Sequence, residues 1–216
     1  RGMAGALDRL TEGVLDAAKR AGADAGDAMA VDGTASSIDI RAGELEQAER
    51  SEGVELGLRV FVGQRQACVS VSDTSETTIR AIAERAVAMA GEAPEDPYAG
   101  LAESHQLARD WDIAVLDLVD PAPEPGAATL EQNAREAEAA AMALAGIVQV
   151  EASASASRRQ VHIAASNGFS GGYARSSQSL SAVAFTGSGT GMERDWAGEG
   201  RIYAADLPDP TYFGAL

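Results

Sequence analysis

Few side chains in this sequence are of types that do chemistry, and their spacing limits what each can do. The histidines are His105 and His162. Neither has a second histidine four residues away, so no HExxH-type helix can offer two imidazoles to one zinc ion. His105 sits before Gln106 in an acidic stretch, and His162 alternates with Val161 and Ile163, as a strand residue that packs or faces solvent would. Cys68 is the single cysteine. It rules out an internal disulfide framework and any zinc site built from several cysteines, and reads as a small packed or half-packed strand residue. The run GSGTGME at 187–193 has glycines but not the GxGxxG order, and it opens no βαβ unit, which excludes a dinucleotide loop. Glu44, Glu46 and Glu49 read as a solvated strand face. Ser153, Ser155 and Ser157 lie on alternate positions of another strand, without the strained turn and partners of a catalytic serine. Met192, Arg194, Asp195 and Trp196 form the densest polar–aromatic cluster, with Arg194 or Asp195 best read as holding a turn. No catalytic, cofactor-binding or metal-ligating residue is assigned to this chain.

Composition narrows the classes further. The 216 residues are 45% hydrophobic but only 5% aromatic, so the core must consist mostly of Ala, Val, Leu and Ile. A net charge of −16 repels phosphate backbones, which argues against direct nucleic-acid binding. No apolar run reaches membrane-spanning length and no signal peptide precedes the first helix pattern, so neither membrane contact nor export is expected and the location expected is cytoplasmic.

The elements that must position these residues follow from periodicity. Leu7, Leu10, Val14, Ala17 and Ala21 predict a helix over Ala4–Ala21 with Gly22 at its C-terminus. Short strands are expected near Ala28–Val31 and through Ser36, Ile38 and Ile40. Val54, Leu56, Leu58 and Val60 alternate with polar residues; Gly63-Gln64 supplies a two-residue turn, and Ala67, Val69 and Val71 return on one face. Asp73 with Glu76 reads as a capping box for a helix with the stripe Ile79, Ile82, Ala83, Ala86, Val87 and Ala90, ended by Gly91. Residues 3–93 therefore form an N-terminal two-layer α+β domain of helices on an antiparallel sheet. Residues 94–128 form a Pro/acidic linker, rich in turn-forming residues, with a short apolar segment at Ile113–Val119 that must pack. Residues 129–216 give a capped helix from Thr129 to about Ala145, then a β-meander: Val148–Ser157, a turn near Arg158-Arg159, Val161–Ala165, an Asn167-Gly168 turn, Tyr173–Phe185, a Gly187–Gly191 turn, and a last strand past Trp196 to Ile202 and Ala204. The Ser- and Ala-rich faces bury little area, which points to a partner surface. The closing DPTYFGAL reads as the start of a further element, so the chain is expected to continue into a C-terminal domain.

The run GELEQAERSEGVELGLRVFVGQRQACVSVSD at 43–73 resembles the N-terminal domain of the TldD/PmbA family, also described as modulators of DNA gyrase. EDPYAGLA at 95–102 is similar to the linker of its PmbA (TldE) branch. SNGFSGGYARSSQSLSAVAF at 166–185 and GMERDW at 191–196 resemble the family's middle region. The resemblance implies a heterodimeric zinc metalloprotease in which a TldD-like partner holds the zinc on an HExxxH helix. This chain would be the non-catalytic PmbA/TldE-like subunit, helping to form the cleft for a peptide or unfolded-protein substrate. A homodimer is the other assembly to consider, and a non-proteolytic binding or modulator protein is the alternative function. Arg175, Leu180, Arg194 and Asp195 are the residues expected to meet partner or peptide, the strand edge being a natural place for an added peptide.

Overall fold

A computed structural model describes residues 4–214; Met3, at the start of the expected first domain, and Ala215–Leu216, at the end of the last, lie outside the described residues. The elements are α1 (Ala4–Ala21), β1 (Ala25–Arg41), β2 (Glu44–Val62), β3 (Arg65–Val71), α2 (Glu76–Glu92), α3 (Ala127–Met142), β4 (Ile147–Ala165), β5 (Ser170–Thr186) and β6 (Glu193–Arg201), with single 3-10 turns in the connections. The architecture is α+β: the strands form one six-stranded sheet in the order β3-β2-β1-β4-β5-β6, with β2–β3 and β5–β6 paired antiparallel.

By contacts the chain divides into two units that alternate along the sequence. The first comprises residues up to Gly33, Gly53–Leu116 and Arg159–Ala174. Its core joins Leu7, Val14 and Ala18 of α1 and Ile82, Ala83, Ala86 and Ala90 of α2 to Leu56, Leu58 and Val60 of β2. The register Leu56↔Val71, Leu58↔Val69, Val60↔Ala67 places the two alternating apolar rows on one face. Gly63 takes φ +57 at the turn between them, a conformation open to glycine at little cost. The second unit comprises Thr34–Glu52, Asp117–Arg158 and the residues from Arg175 on. Here Leu130, Ala134, Ala137 and Ala141 of α3 pack on Ile38, Ile40, Val150, Ala152, Ala154, Ala156, Leu180 and Ala182, with Phe213 closing the core. Alanines let the helix approach the sheet closely but contribute little buried area each.

Several local expectations are corrected. The two short strands before residue 41 are one strand, β1, because Asp32-Gly33-Thr34 stays extended and paired. The turn expected near Arg158-Arg159 is absent: β4 runs through it, with no glycine or proline to break the ladder. The N-cap of α2 is Ser75, whose Oγ accepts the Thr78 N–H at 3.3 Å. Asp73 instead folds an Asx turn, accepting the Ser75 N–H at 2.9 Å and hydroxyls of Ser75 and Thr78. These bonds hold its carboxyl below the usual aspartate value, Thr78 contributing most. α2 passes Gly91 by one residue and stops at Glu92, with Pro94 two residues on. α3 starts at Ala127 with Gly126 as N-cap, which leaves Thr129 inside the helix, and it ends at Met142. The apolar segment of the linker does not pack as a whole: Val115 and Leu116 are exposed in a 3-10 turn. The last strand ends at Arg201, short of Ile202 and Ala204.

Candidate functional site

The residues expected to meet a partner fall into three environments. Arg194 and Asp195 lie exposed on β6, opposite Phe185 and Ala184 of β5. β6 ends the strand order, so the outer row of its N–H and C=O groups has no strand partner among the described residues. Such an edge is a template for an added extended chain. Trp196 stands opposite Val183 and is 71% exposed, and the neighbouring Met192 is 54% exposed. The indole lies along its own strand: a Cβ at Gly198 would come within 3.1 Å of it. Asp195 accepts the Trp196 N–H at 2.8 Å, so it orients its own strand; neither it nor Arg194 holds the preceding turn.

Arg175 is exposed on β5, but it precedes Phe185, the partner of Arg194, by ten residues. At about 3.3 Å per residue that is ~33 Å along the strand, so one short peptide cannot touch both arginines. Leu180 offers no exposed surface in this chain. It is 2% exposed and packs in the core against α3, because the alternation along β5 turns Ser176, Gln178, Leu180 and Ala182 inward.

Between these sites lies a fastening that the sequence reading missed. Asp120 is buried; its Oδ2 accepts the Ala204 N–H at 2.7 Å and its Oδ1 the Ala122 N–H at 2.8 Å. Those bonds, Ala204's first, hold its carboxyl below the usual aspartate value. The buried Ser176 Oγ accepts the Asp120 N–H at 2.7 Å and donates to the Ile202 carbonyl at 2.9 Å, while the Ser176 N–H reaches the Leu118 carbonyl at 3.0 Å. Arg158 donates to the carbonyls of Asp120 and Ala122. The Tyr203 hydroxyl donates to the Asp117 carboxylate, which pushes its pKa up to about 12. Asp117 takes φ +48, a left-handed conformation that aspartate adopts more readily than most residues. The arrangement ties residues 117–122 and 202–204 to the start of β5. Ser176 has both hydroxyl roles occupied and no base beside it, so it is a fastener and not a nucleophile. The one local signal was Asp120-Pro121, an Asx-turn pair; the partners are distant in sequence.

The remaining chemistry-bearing residues are separately placed. His105 is exposed in a 3-10 turn. His162 is half-buried, with Nδ1 2.8 Å from the Thr11 hydroxyl and Nε2 3.3 Å from the Ser170 hydroxyl. Cys68 is exposed on β3 opposite Arg59, not packed or half-packed. Among the described residues no group of three His, Cys, Asp or Glu side chains is placed to hold a metal ion, so the donor set present does not fit a zinc site. Glu44 and its neighbours through Glu52 are exposed on both faces of β2.

Two family descriptions match the chain in order: PmbA/TldA metallopeptidase domain 1 over residues 26–90 and PmbA/TldA metallopeptidase central domain over residues 119–215. The class is thus the leading and central domains of a metallopeptidase-related protein. The chain belongs to the PmbA/TldD family. It is 32% identical over 183 residues to Metalloprotease PmbA of Escherichia coli O157:H7, covering 84% of this chain and 40% of that protein. In fold it is similar to a Bacteroides thetaiotaomicron protein described as a candidate modulator of DNA gyrase (TM-score 0.75, 20% identity, 94% of this chain and 46% of that one). It is also similar to TldE from Thermococcus kodakarensis (TM-score 0.66, 13% identity, 88% and 42%). The chain spans less than half the length of each of these relatives.

Proposed function

We propose that this chain is part of a non-catalytic, PmbA/TldE-like subunit of a heterodimeric metalloprotease. In this reading it works in the cytoplasm beside a TldD-like subunit that holds the zinc, and helps to form the cleft that receives a peptide or unfolded protein. The observation that carries the reading is the open β6 edge with Trp196, Arg194 and Met192 exposed along it, set in the family's central domain. An edge offers backbone hydrogen bonds that do not depend on the incoming sequence. The test is co-expression with a TldD-like protein, followed by affinity purification and a peptide-cleavage assay with and without chelator. Co-purification with chelator-sensitive cleavage is expected. Failure of both, with capture of gyrase instead, would favour the second reading, a modulator acting without proteolysis. That reading draws on the description given to the Bacteroides relative; with a net charge of −16 it would act through protein contact and not on DNA.

A further inference from the structure

We propose that Ser170 is an activated nucleophile that takes an acyl group from a neutral, reactive carboxylic ester, with His162 as its base and Thr11 positioning that base. All three residues lie in the first unit. The Ser170 hydroxyl is 3.3 Å from His162 Nε2, and His162 Nδ1 is 2.8 Å from the Thr11 hydroxyl. A hydroxyl beside an imidazole whose other nitrogen is held by a third group is the arrangement that nucleophilic catalysis uses.

The proton inventory decides which nitrogen is the base. Thr11 is buried on α1, and its hydroxyl donates to the carbonyls of Leu7 at 3.2 Å and Asp8 at 3.0 Å. A hydroxyl has one proton and carbonyls only accept, so towards His162 the Thr11 oxygen is an acceptor. Nδ1 therefore carries the imidazole proton, and Nε2 keeps its lone pair for the Ser170 hydroxyl. Gly172 leaves room for this orientation: a Cβ there would lie 3.3 Å from His162 Cδ2, the carbon bonded to Nε2. A substrate can reach the pair, because Ser170 is exposed and lines a groove of about 510 Å³ that Leu15 and Phe169 also line. Glu12, Asp16 and Asp24 outnumber Lys19 along it, which disfavours anionic esters. In the step, Ser170 Oγ bonds to the ester's carbonyl carbon as its proton passes to Nε2. The bond from that carbon to the leaving oxygen then breaks, the leaving oxygen takes the proton, and the acyl group stays on Ser170. The ester must be reactive, because a positioned base supplies only about 10²–10⁴-fold.

The test treats the purified chain with p-nitrophenyl acetate. A chelator is present, so no zinc peptidase contributes and the outcome is independent of the proposed protease assembly. Tandem mass spectrometry locates the acetyl group and gives its rate of transfer at each serine. Acetylation of Ser170 is expected to be about 100-fold or more faster than that of Ser72, which is also exposed. His162→Gln, whose amide can still bond Thr11, should slow acetylation of Ser170 about 100-fold or more. Thr11→Val should slow it about ten-fold or more, and Thr11→Ser should restore it. Circular dichroism establishes which variants fold; should His162→Gln not, His162→Asn serves. Ser170 acetylated no faster than Ser72, or at the parental rate in the folded His162 or Thr11→Val variant, would overturn the proposal.

Discussion

Replacing Ser176 by alanine tests whether its hydroxyl fastens the second unit or merely sits on a serine-rich strand. The change removes one oxygen and creates almost no cavity, so packing is nearly constant. What is lost is an acceptor for the Asp120 N–H at 2.7 Å and a donor to the Ile202 carbonyl at 2.9 Å. The hydroxyl is 4% exposed as part of Ser176, so water cannot simply take its place beneath residues 117–122. Leaving a buried partner unsatisfied costs about 1–3 kcal/mol; the Ile202 carbonyl, on a half-buried residue, adds less. The sum is about 1.5–4 kcal/mol. For a chain of this size each kcal/mol moves Tm by about 2–4 °C, so a fall of about 3–16 °C is expected by circular dichroism. Faster hydrogen exchange at the Asp120 and Ala204 amides should accompany it. Ser177, next along β5 and half-buried, is the control, and Ser177→Ala should stay within about 0.5 kcal/mol of the parent. If the two variants melt together, the hydroxyl is not a fastener and the account of this region fails.

Other outcomes follow from the same geometry. The Asp120 carboxyl is held below its ordinary value of 3.8, so its contribution to stability is complete above that value and is lost as pH falls through the lower folded-state pKa. Acid melting curves should therefore show less pH dependence in Asp120→Asn than in the parent. Ala42 occupies φ +52 at the β1–β2 turn, a conformation costing a non-glycine residue about 1–2 kcal/mol. Ala42→Gly, after paying glycine's extra chain entropy, should raise stability by about 0.5–1 kcal/mol in urea melts. Leu180→Ala should cost about 2–5 kcal/mol as a core truncation, whereas Arg175→Ala should leave Tm unchanged; equal effects would contradict the alternation of β5. Trp196→Ala should leave Tm within about 2 °C yet weaken capture by a TldD-like subunit or peptide, read by surface plasmon resonance. Unchanged capture would remove the β6 edge from the proposed cleft.

Where a local pattern could fix an element, it did. α1 spans Ala4–Ala21 as its apolar spacing requires, and the β2–β3 hairpin has the register that alternation and a glycine turn demand. Errors arose where sequence signals were local but the deciding partner was remote. Separate strands were expected near Ala28–Val31 and through Ser36, Ile38 and Ile40, and Arg158-Arg159 read as a turn, yet neighbouring strands keep β1 and β4 continuous. Asp73 is a local exception: the same residue type suits a cap or an Asx turn, and its bond to Ser75 two residues on makes the turn.

The sequence by itself determined the α+β class, the small-residue core, the net charge and the family, since each depends on residue type or on order along the chain. Tertiary structure decided which of the notable residues share a place. It buried Leu180, left Arg194 and Trp196 on an open strand edge, and set Arg175 ~33 Å of strand away. It also joined Ser176 to Asp120. These are properties of distances across the fold, and a hydrogen bond, made or missing, is felt only when residues far apart in sequence come within about 3 Å.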